Sequence, residues 1–198
     1  MPKILRCLFV GMTFFMLYAS VCCANSTSLG IGNFSIKLDR FQLIDDLEFW
    51  EFNDIENGYY VAIDWYGHLG RNFYFGAEIG YTNLTGKVFG IGTELTLFPI
   101  EMNVKYALAG IQAVQLEFGL GASVLTVYGE VIAPPLIGTI EEFFHTRTIY
   151  GGQGFINLNF KFKRFFFGAN AKYQITEDLA KGLNLDNYRV GAHIGLTF

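Results

Sequence analysis

Cysteine is confined to the start of the chain: Cys7, Cys22 and Cys23 are the only three, and none follows. A disulfide framework, the usual staple of small secreted domains, is therefore excluded from the rest. Proline is sparse, four residues in 198, so little interrupts regular structure. Histidine occurs only at 68, 145 and 193, and no His/Cys group has the spacing of a metal site. Setting aside Lys3 and Arg6, 12 basic residues face 18 acidic ones, a net charge of −6. Such a chain lacks the basic footprint of a nucleic-acid binder. Beyond residue 24 no apolar run approaches the roughly 18 residues of a transmembrane helix. The glycine-rich stretches "GIGTEL", "GLGAS" and "GGQG" do not open a helix in a βαβ unit, so a nucleotide loop is not in view and no cofactor is expected.

The first 24 residues stand apart. Lys3 and Arg6 form a basic opening, residues 7–18 an apolar core, and "ASVCCA" a small-residue end. This layout predicts a secretory signal peptide cut after Ala24, leaving residues 25–198 as one domain. The rival readings are an uncleaved anchor, for which the apolar run is short, and a lipoprotein through Cys22 or Cys23. For the lipoprotein, Val21 or Cys22 stands where a small residue is expected.

Against these absences the chain is rich in aromatics, 21 Phe and 11 Tyr, and in glycine, 23 residues. Apolar residues recur every second position, the period of a strand with one apolar face. The pattern runs through 33–38, 58–66, 73–82, 88–98, 114–128, 150–162, 165–175 and the closing "YRVGAHIGLTF". At Pro99 the apolar positions change from odd (Phe89, Ile91, Leu95, Leu97) to even (Ile100, Met102, Val104, Tyr106, Leu108). We expect a β-bulge there within one long strand, since proline is tolerated at bulges; a turn at 99–103 is the rival. The count is eight strands. Long links at 39–57, 129–147 and 176–186 and a shorter one at 83–87 alternate with tight turns at 67–72, 109–112 and 163–164. This is the layout of an up-and-down barrel with one elaborated end. "DRFQLIDDLEFWEFNDIE" (39–56) is the one stretch that could form a short amphipathic helix.

The aromatic face is too bulky for the inside of an eight-stranded barrel, which has room only for packed side chains. The opposite face carries glycines (76, 80, 119, 121, 168, 191, 195 among them) and charges. We therefore place Asp64, Glu78, Glu94, Glu117, Lys161, Lys172, Arg189 and His193 inside, paired with one another, and the aromatic face in lipid. A closed barrel satisfies every backbone donor and acceptor in hydrocarbon. Tyr59, Trp65, Phe73, Tyr81, Tyr173 and Tyr188 near strand ends would form interfacial girdles.

The whole chain after residue 24 resembles the small outer-membrane β-barrels of Gram-negative bacteria, the class that includes the membrane domain of outer membrane protein A. Two stretches carry the resemblance: the alternating "YRVGAHIGLTF" ending on Phe198, and the proline-containing strand "LFPIEMNVKYAL". It implies an outer-membrane location among lipid and lipopolysaccharide, and reading of Phe198 by the barrel-assembly machinery. It leaves activity open, because this fold hosts adhesins, lipid A enzymes and narrow channels.

Three functions follow as expectations: a structural or surface-binding barrel, a narrow passive channel, or a lipid A-modifying enzyme. For the enzyme, His145 and Thr148 in "EEFFHTRT" could combine imidazole, hydroxyl and a nearby carboxylate as a nucleophile. The His-x-Ser of the lipid A deacylases is absent, however, with Thr148 three residues from His145. For surface binding of an extracellular ligand, the first long link interleaves acidic residues with Phe49, Trp50 and Phe52, apolar anchors of the kind partners use.

Overall fold

The computed structural model of the chain describes residues 32–44, 57–88, 91–108, 113–132, 144–179 and 185–198. They form eight strands: β1 (Gly32–Leu43), β2 (Asn57–Gly70), β3 (Phe73–Val88), β4 (Ile91–Ala107), β5 (Val114–Ile132), β6 (Phe144–Phe162), β7 (Phe165–Thr176) and β8 (Asn187–Thr197). Each pairs antiparallel with its sequence neighbours, and β1 joins β8 from Asn33↔Thr197 to Leu43↔Asn187, closing the barrel. Two-residue turns at 71–72 and 163–164 lie at one end; Arg71 and Lys163 take positive φ there, 50° and 58°. That backbone twist is the one tight hairpins need.

The strands are unequal. β3 to β6 run 16, 17, 19 and 19 residues, the other four between 11 and 14. All the extra length is at the loop end, so the β3–β4 and β5–β6 hairpins rise above the rest. Residues 83–87, expected as a link, are the rising part of β3, and Val88, expected to open the next strand, ends it. Residues 39–43, offered as the start of a helix, are the end of β1; residues 45–56 of that candidate helix lie outside the described residues.

The expected bulge at Pro99 is absent. The β4–β5 ladder runs unbroken through Pro99↔Leu125. The β3–β4 ladder skips two rungs, between Ile79↔Ile100 and Thr82↔Leu97, then resumes in the same register. Proline has no N–H, so it forfeits a bond without displacing its neighbours. The strand's phase is constant, with odd positions inward. What changes along β4 is the filling of the barrel. Leu95 and Leu97 point inside, where Leu97 is 1% exposed and packs with Leu84, Leu125 and Val127.

The interior is thus layered. At the loop end Phe41, Leu43, Tyr60, Ala62, Leu84, Leu97, Leu125, Val127 and Ile149, with Leu179 and Leu185 from the β7–β8 link, form an apolar plug. From mid-height to the turn end the inward positions are polar or charged, interspersed with aromatic rings and glycines.

Candidate functional site

The outer surface is an apolar belt. Even positions of β1 and β4, odd positions of β2 and β3, and their counterparts on β5 to β8 expose large side chains such as Leu38, Val61, Phe75, Met102, Leu120 and Ile194. Tyr59, Tyr81, Tyr128, Tyr150, Tyr173 and Tyr188 ring its loop-end margin, and Phe73, Phe160, Phe162, Phe165, Phe167 and Phe198 crowd the turn end. Tyr81, Phe98 and Tyr128 pack in sequence, with ring centroids 5.1 and 5.7 Å apart. Ten residues separate Tyr188 from Phe198. At about 3.3 Å per residue and a tilt near 40° they span roughly 25 Å, the height of a membrane-barrel belt.

Inside, four cations (Lys37, Lys105, Lys172, Arg189) meet five carboxylates (Asp39, Asp64, Glu78, Glu101, Glu117), all buried. Lys37 Nζ lies 3.0 Å from Asp64 and 2.7 Å from Glu78. Lys172 bridges Glu78 at 2.7 Å and Glu101 at 2.5 Å. Arg189 reaches Glu101 at 2.6 Å, donates to Gln174 at 3.2 Å, and lies 4.4 Å above the Tyr60 ring. The Tyr60 hydroxyl donates to Glu78 at 2.9 Å. These links join β2, β1, β3, β7, β4 and β8 in one chain of contacts. Among eight strands, β3 and β7 face each other across the bore, as do β4 and β8. The Lys172–Glu78 and Arg189–Glu101 pairs therefore cross the full diameter. Nearer the turn end Lys105 pairs with Glu117 at 2.9 Å, Asn157 donates to Glu117 at 3.2 Å, and the Lys105 ammonium lies 3.9 Å from the Tyr66 ring centroid.

Interior glycines make room for these long side chains. A Cβ at Gly80 would lie 2.1 Å from the Tyr60 hydroxyl, and one at Gly119 would lie 2.0 Å from the Phe155 ring. Phe155 in turn lies under two ammonium groups, 5.8 Å from Lys37 and 5.5 Å from Lys172.

Of the predicted interior residues, the structure brings Asp64, Glu78, Lys172 and Arg189 into the central network and places Glu117 in the lower one. His193 is buried but meets asparagines in place of the expected carboxylate: Nε2 is 2.6 Å from Asn159 Oδ1 and Nδ1 is 3.3 Å from Asn170 Oδ1. Asn170 passes the contact on, donating to Asp39 at 2.9 Å. Lys161 is half-buried near the turn end, with no carboxylate at ion-pair distance among the described residues. Glu94 is a correction. With the phase of β4 constant it lies on the outward side of the β3–β4 hairpin, accepting from Asn83. The assignment of Glu94 to the interior had followed from the supposed bulge.

Lys37, Asp39, Glu101 and Lys105 are buried interior charges that the sequence reading left out. The cue was present: "NFSIKL" alternates Asn33, Ser35 and Lys37 with Phe34, Ile36 and Leu38, and "IEMNVKYAL" sets Glu101, Asn103 and Lys105 between apolar even positions.

Thr148 is exposed, two residues before Tyr150 on β6, and the described part of His145 is its place near the start of that strand. Phe49, Trp50 and Phe52 lie outside the described residues. Phe198 is exposed, and its backbone pairs with Gly32 in both directions, at 2.9 and 3.1 Å.

No protein-family model and no curated protein sequence matches the chain. Solved structures do. Neisserial surface protein A is similar at 13% identity with a TM-score of 0.57, over 84% of this chain and 97% of that one. Ail, the attachment invasion locus protein of Yersinia pestis, is similar at 12% identity with a TM-score of 0.55, over 85% of this chain and all of that one. Ail has also been solved with the heparin analogue sucrose octasulfate. With its apolar belt, tyrosine margin and closed antiparallel sheet, the chain has the fold of the small eight-stranded outer-membrane barrels of Gram-negative bacteria.

Proposed function

We propose that the chain is an outer-membrane protein that works as a closed, rigid support for surface loops, with a structural or surface-binding role, and does not conduct solutes. The observation that carries this reading is the pair of ionic links across the bore, Lys172–Glu78 and Arg189–Glu101, beneath an apolar plug. Opening a path would break buried ion pairs, at about 3–5 kcal/mol for each partner left alone. The leader at 1–24 would direct export, and Phe198 would be read by the assembly machinery. Planar-bilayer recordings are the test: the purified protein should show no steady unitary currents. Large, lasting single-channel steps would overturn the closed-barrel reading and favour the narrow channel.

The surface-binding part rests on the risen β3–β4 and β5–β6 hairpins and on the chemistry of the first long loop. In residues 45–56 six acidic side chains stand with no basic one, around Phe49, Trp50 and Phe52. Such a loop repels a polysulfated sugar of the kind seen with Ail, and suits a basic or cation-bridged ligand, bound less well as salt rises. Replacing Phe49, Trp50 and Phe52 with Ser should abolish capture of a basic partner while leaving insertion intact. Unchanged capture would move the role to 133–143.

A further inference from the structure

Charge is sorted along the barrel axis. Five of the 18 acidic residues are the bore carboxylates described above, and the others belong to the loop-end segments of the chain. None belongs to the turn end. The segments that run to it, 1–38, 65–77, 102–116, 143–176 and 187–198, contain no Asp or Glu, within the described residues or outside them. Arg71 in the β2–β3 turn and Lys163 and Arg164 in the β6–β7 turn are exposed there, and Lys161 is half-buried at the mouth of the bore. Among the described residues no carboxylate lies at ion-pair distance from any of the four. A chain that is acidic as a whole thus presents a basic face at one end.

The β6–β7 turn sets two of these charges side by side against an apolar wall. Phe162 opposes Phe165 across the hairpin and Phe160 opposes Phe167, the latter pair stacked with centroids 5.4 Å apart. All four rings face outward, Phe162 and Phe165 being 69% and 59% exposed. The Lys163 ammonium lies 5.9 Å from the Phe162 ring centroid, so it stands on the outer side of the wall and not over the bore. The turn is only two residues long. Each of its charges is therefore one step, about 3.3 Å, beyond a ring of the belt. The headgroup layer on either side of a bilayer is roughly 5–7 Å deep, and the two cations fall within it.

We propose that the β6–β7 turn binds an anionic phospholipid of the leaflet at the turn end, its phosphate held by Lys163 and Arg164 and an acyl chain lying on the four phenylalanines. The proposal rests on the outer-membrane reading. An ammonium and a guanidinium together suit a headgroup with net negative charge, whereas a zwitterionic headgroup brings an ammonium of its own that they repel. Arg guanidinium groups also bind phosphate oxygens in pairs. A free phosphate ion would meet the same charges without the apolar wall, and an anionic cell-wall polymer lies beyond the headgroup layer that so short a turn reaches. Arg71 flanks Phe73 in the same way. Because β2 and β6 lie on opposite sides of the bore, Arg71 serves a separate lipid with one cation in place of two.

The test uses full-length protein from the membrane fraction, its fold verified by heat-dependent gel migration. It is titrated in mild detergent with palmitoyl-oleoyl phosphatidylglycerol or the matching phosphatidylethanolamine, and adducts are read by native mass spectrometry. A cation beside an anionic headgroup is worth about fivefold in binding, so the wild-type protein should prefer phosphatidylglycerol on the order of 20-fold. K163N/R164Q should lower the preference to about fivefold or less, asparagine being suited to the positive φ at 163; Arg164→Gln alone serves if the double variant does not fold. Lys163→Arg should keep the preference, and so should K87Q/K181Q, which removes two cations from the other end of the barrel. Equal adducts of both lipids on the wild type would overturn the proposal, as would an unchanged preference in K163N/R164Q or an equal loss in K87Q/K181Q. Displacement of the lipid by equimolar inorganic phosphate would give the site to the free ion. Co-sedimentation with isolated cell-wall sacculi that needs Lys163 and Arg164, without a lipid preference, would give it to the polymer. Every protein compared has already passed the membrane and gel-shift checks, so a lost preference concerns the turn and not the outer-membrane reading.

Discussion

Glu101 shows how much one side chain can hold. Its two carboxylate oxygens take Lys172 from β7 and Arg189 from β8, and Gln153 from β6 lies 3.4 Å away. Neutralising it leaves two buried cations competing for Glu78, which already serves Lys37 and Tyr60. Glu101→Gln should therefore cost about 3–5 kcal/mol, seen as a lower urea midpoint for the heat-modifiable band in lipid vesicles. A loss below about 1 kcal/mol would mean that the network is solvated and that its ion pairs are worth no more than surface ones. Most of these residues were legible as polar positions in an alternating pattern, but their partners were not. Period two assigns a face; it cannot say that β3 meets β7, because that pairing comes from closure at the β1–β8 seam.

At the scale of the element, β4 teaches the converse. Its apolar residues move from odd to even positions at Pro99, and a sequence pattern read as a face predicts a bulge. The inference assumed that one face is polar along its whole length. The barrel instead has an apolar interior near the loops and a charged one below, so Leu97 is as much inside as Glu101 and Lys105, and Leu95 is half-buried against the same cluster. Cysteine accessibility separates the two arrangements. Thr96→Cys, outward and opposite Tyr128 at the loop-end margin, should react with a water-soluble maleimide above the background of the unsubstituted protein, and Leu97→Cys should not. The reverse result would restore the bulge and return Glu94 to the interior. Element type and number were readable because eight segments alternate strongly. Strand ends were not, since the rising parts of β3 and β6 are polar on their outward sides (Asn83, Thr85, Thr146, Thr148) and look like loops.

For the whole molecule, inward charge and outward grease follow from one constraint: a barrel of this size in lipid must fill its own bore. The location of that filling has a kinetic consequence. The central network draws Lys37 from β1, Asp64 from β2, Glu78 from β3, Glu101 from β4, Lys172 from β7 and Arg189 from β8. No sheet short of all eight strands can neutralise it. A hairpin or a half-built sheet entering hydrocarbon would carry bare charges, each costing several kcal/mol, and the penalty vanishes only when the first and last strands meet. The ion pairs thus act as a latch on ring closure. Lys37, Asp64 and Glu78 can pair within β1 to β3, but Lys172 and Arg189 find their carboxylates only when the last strand meets the first, which makes that seam the one on which full neutralisation depends.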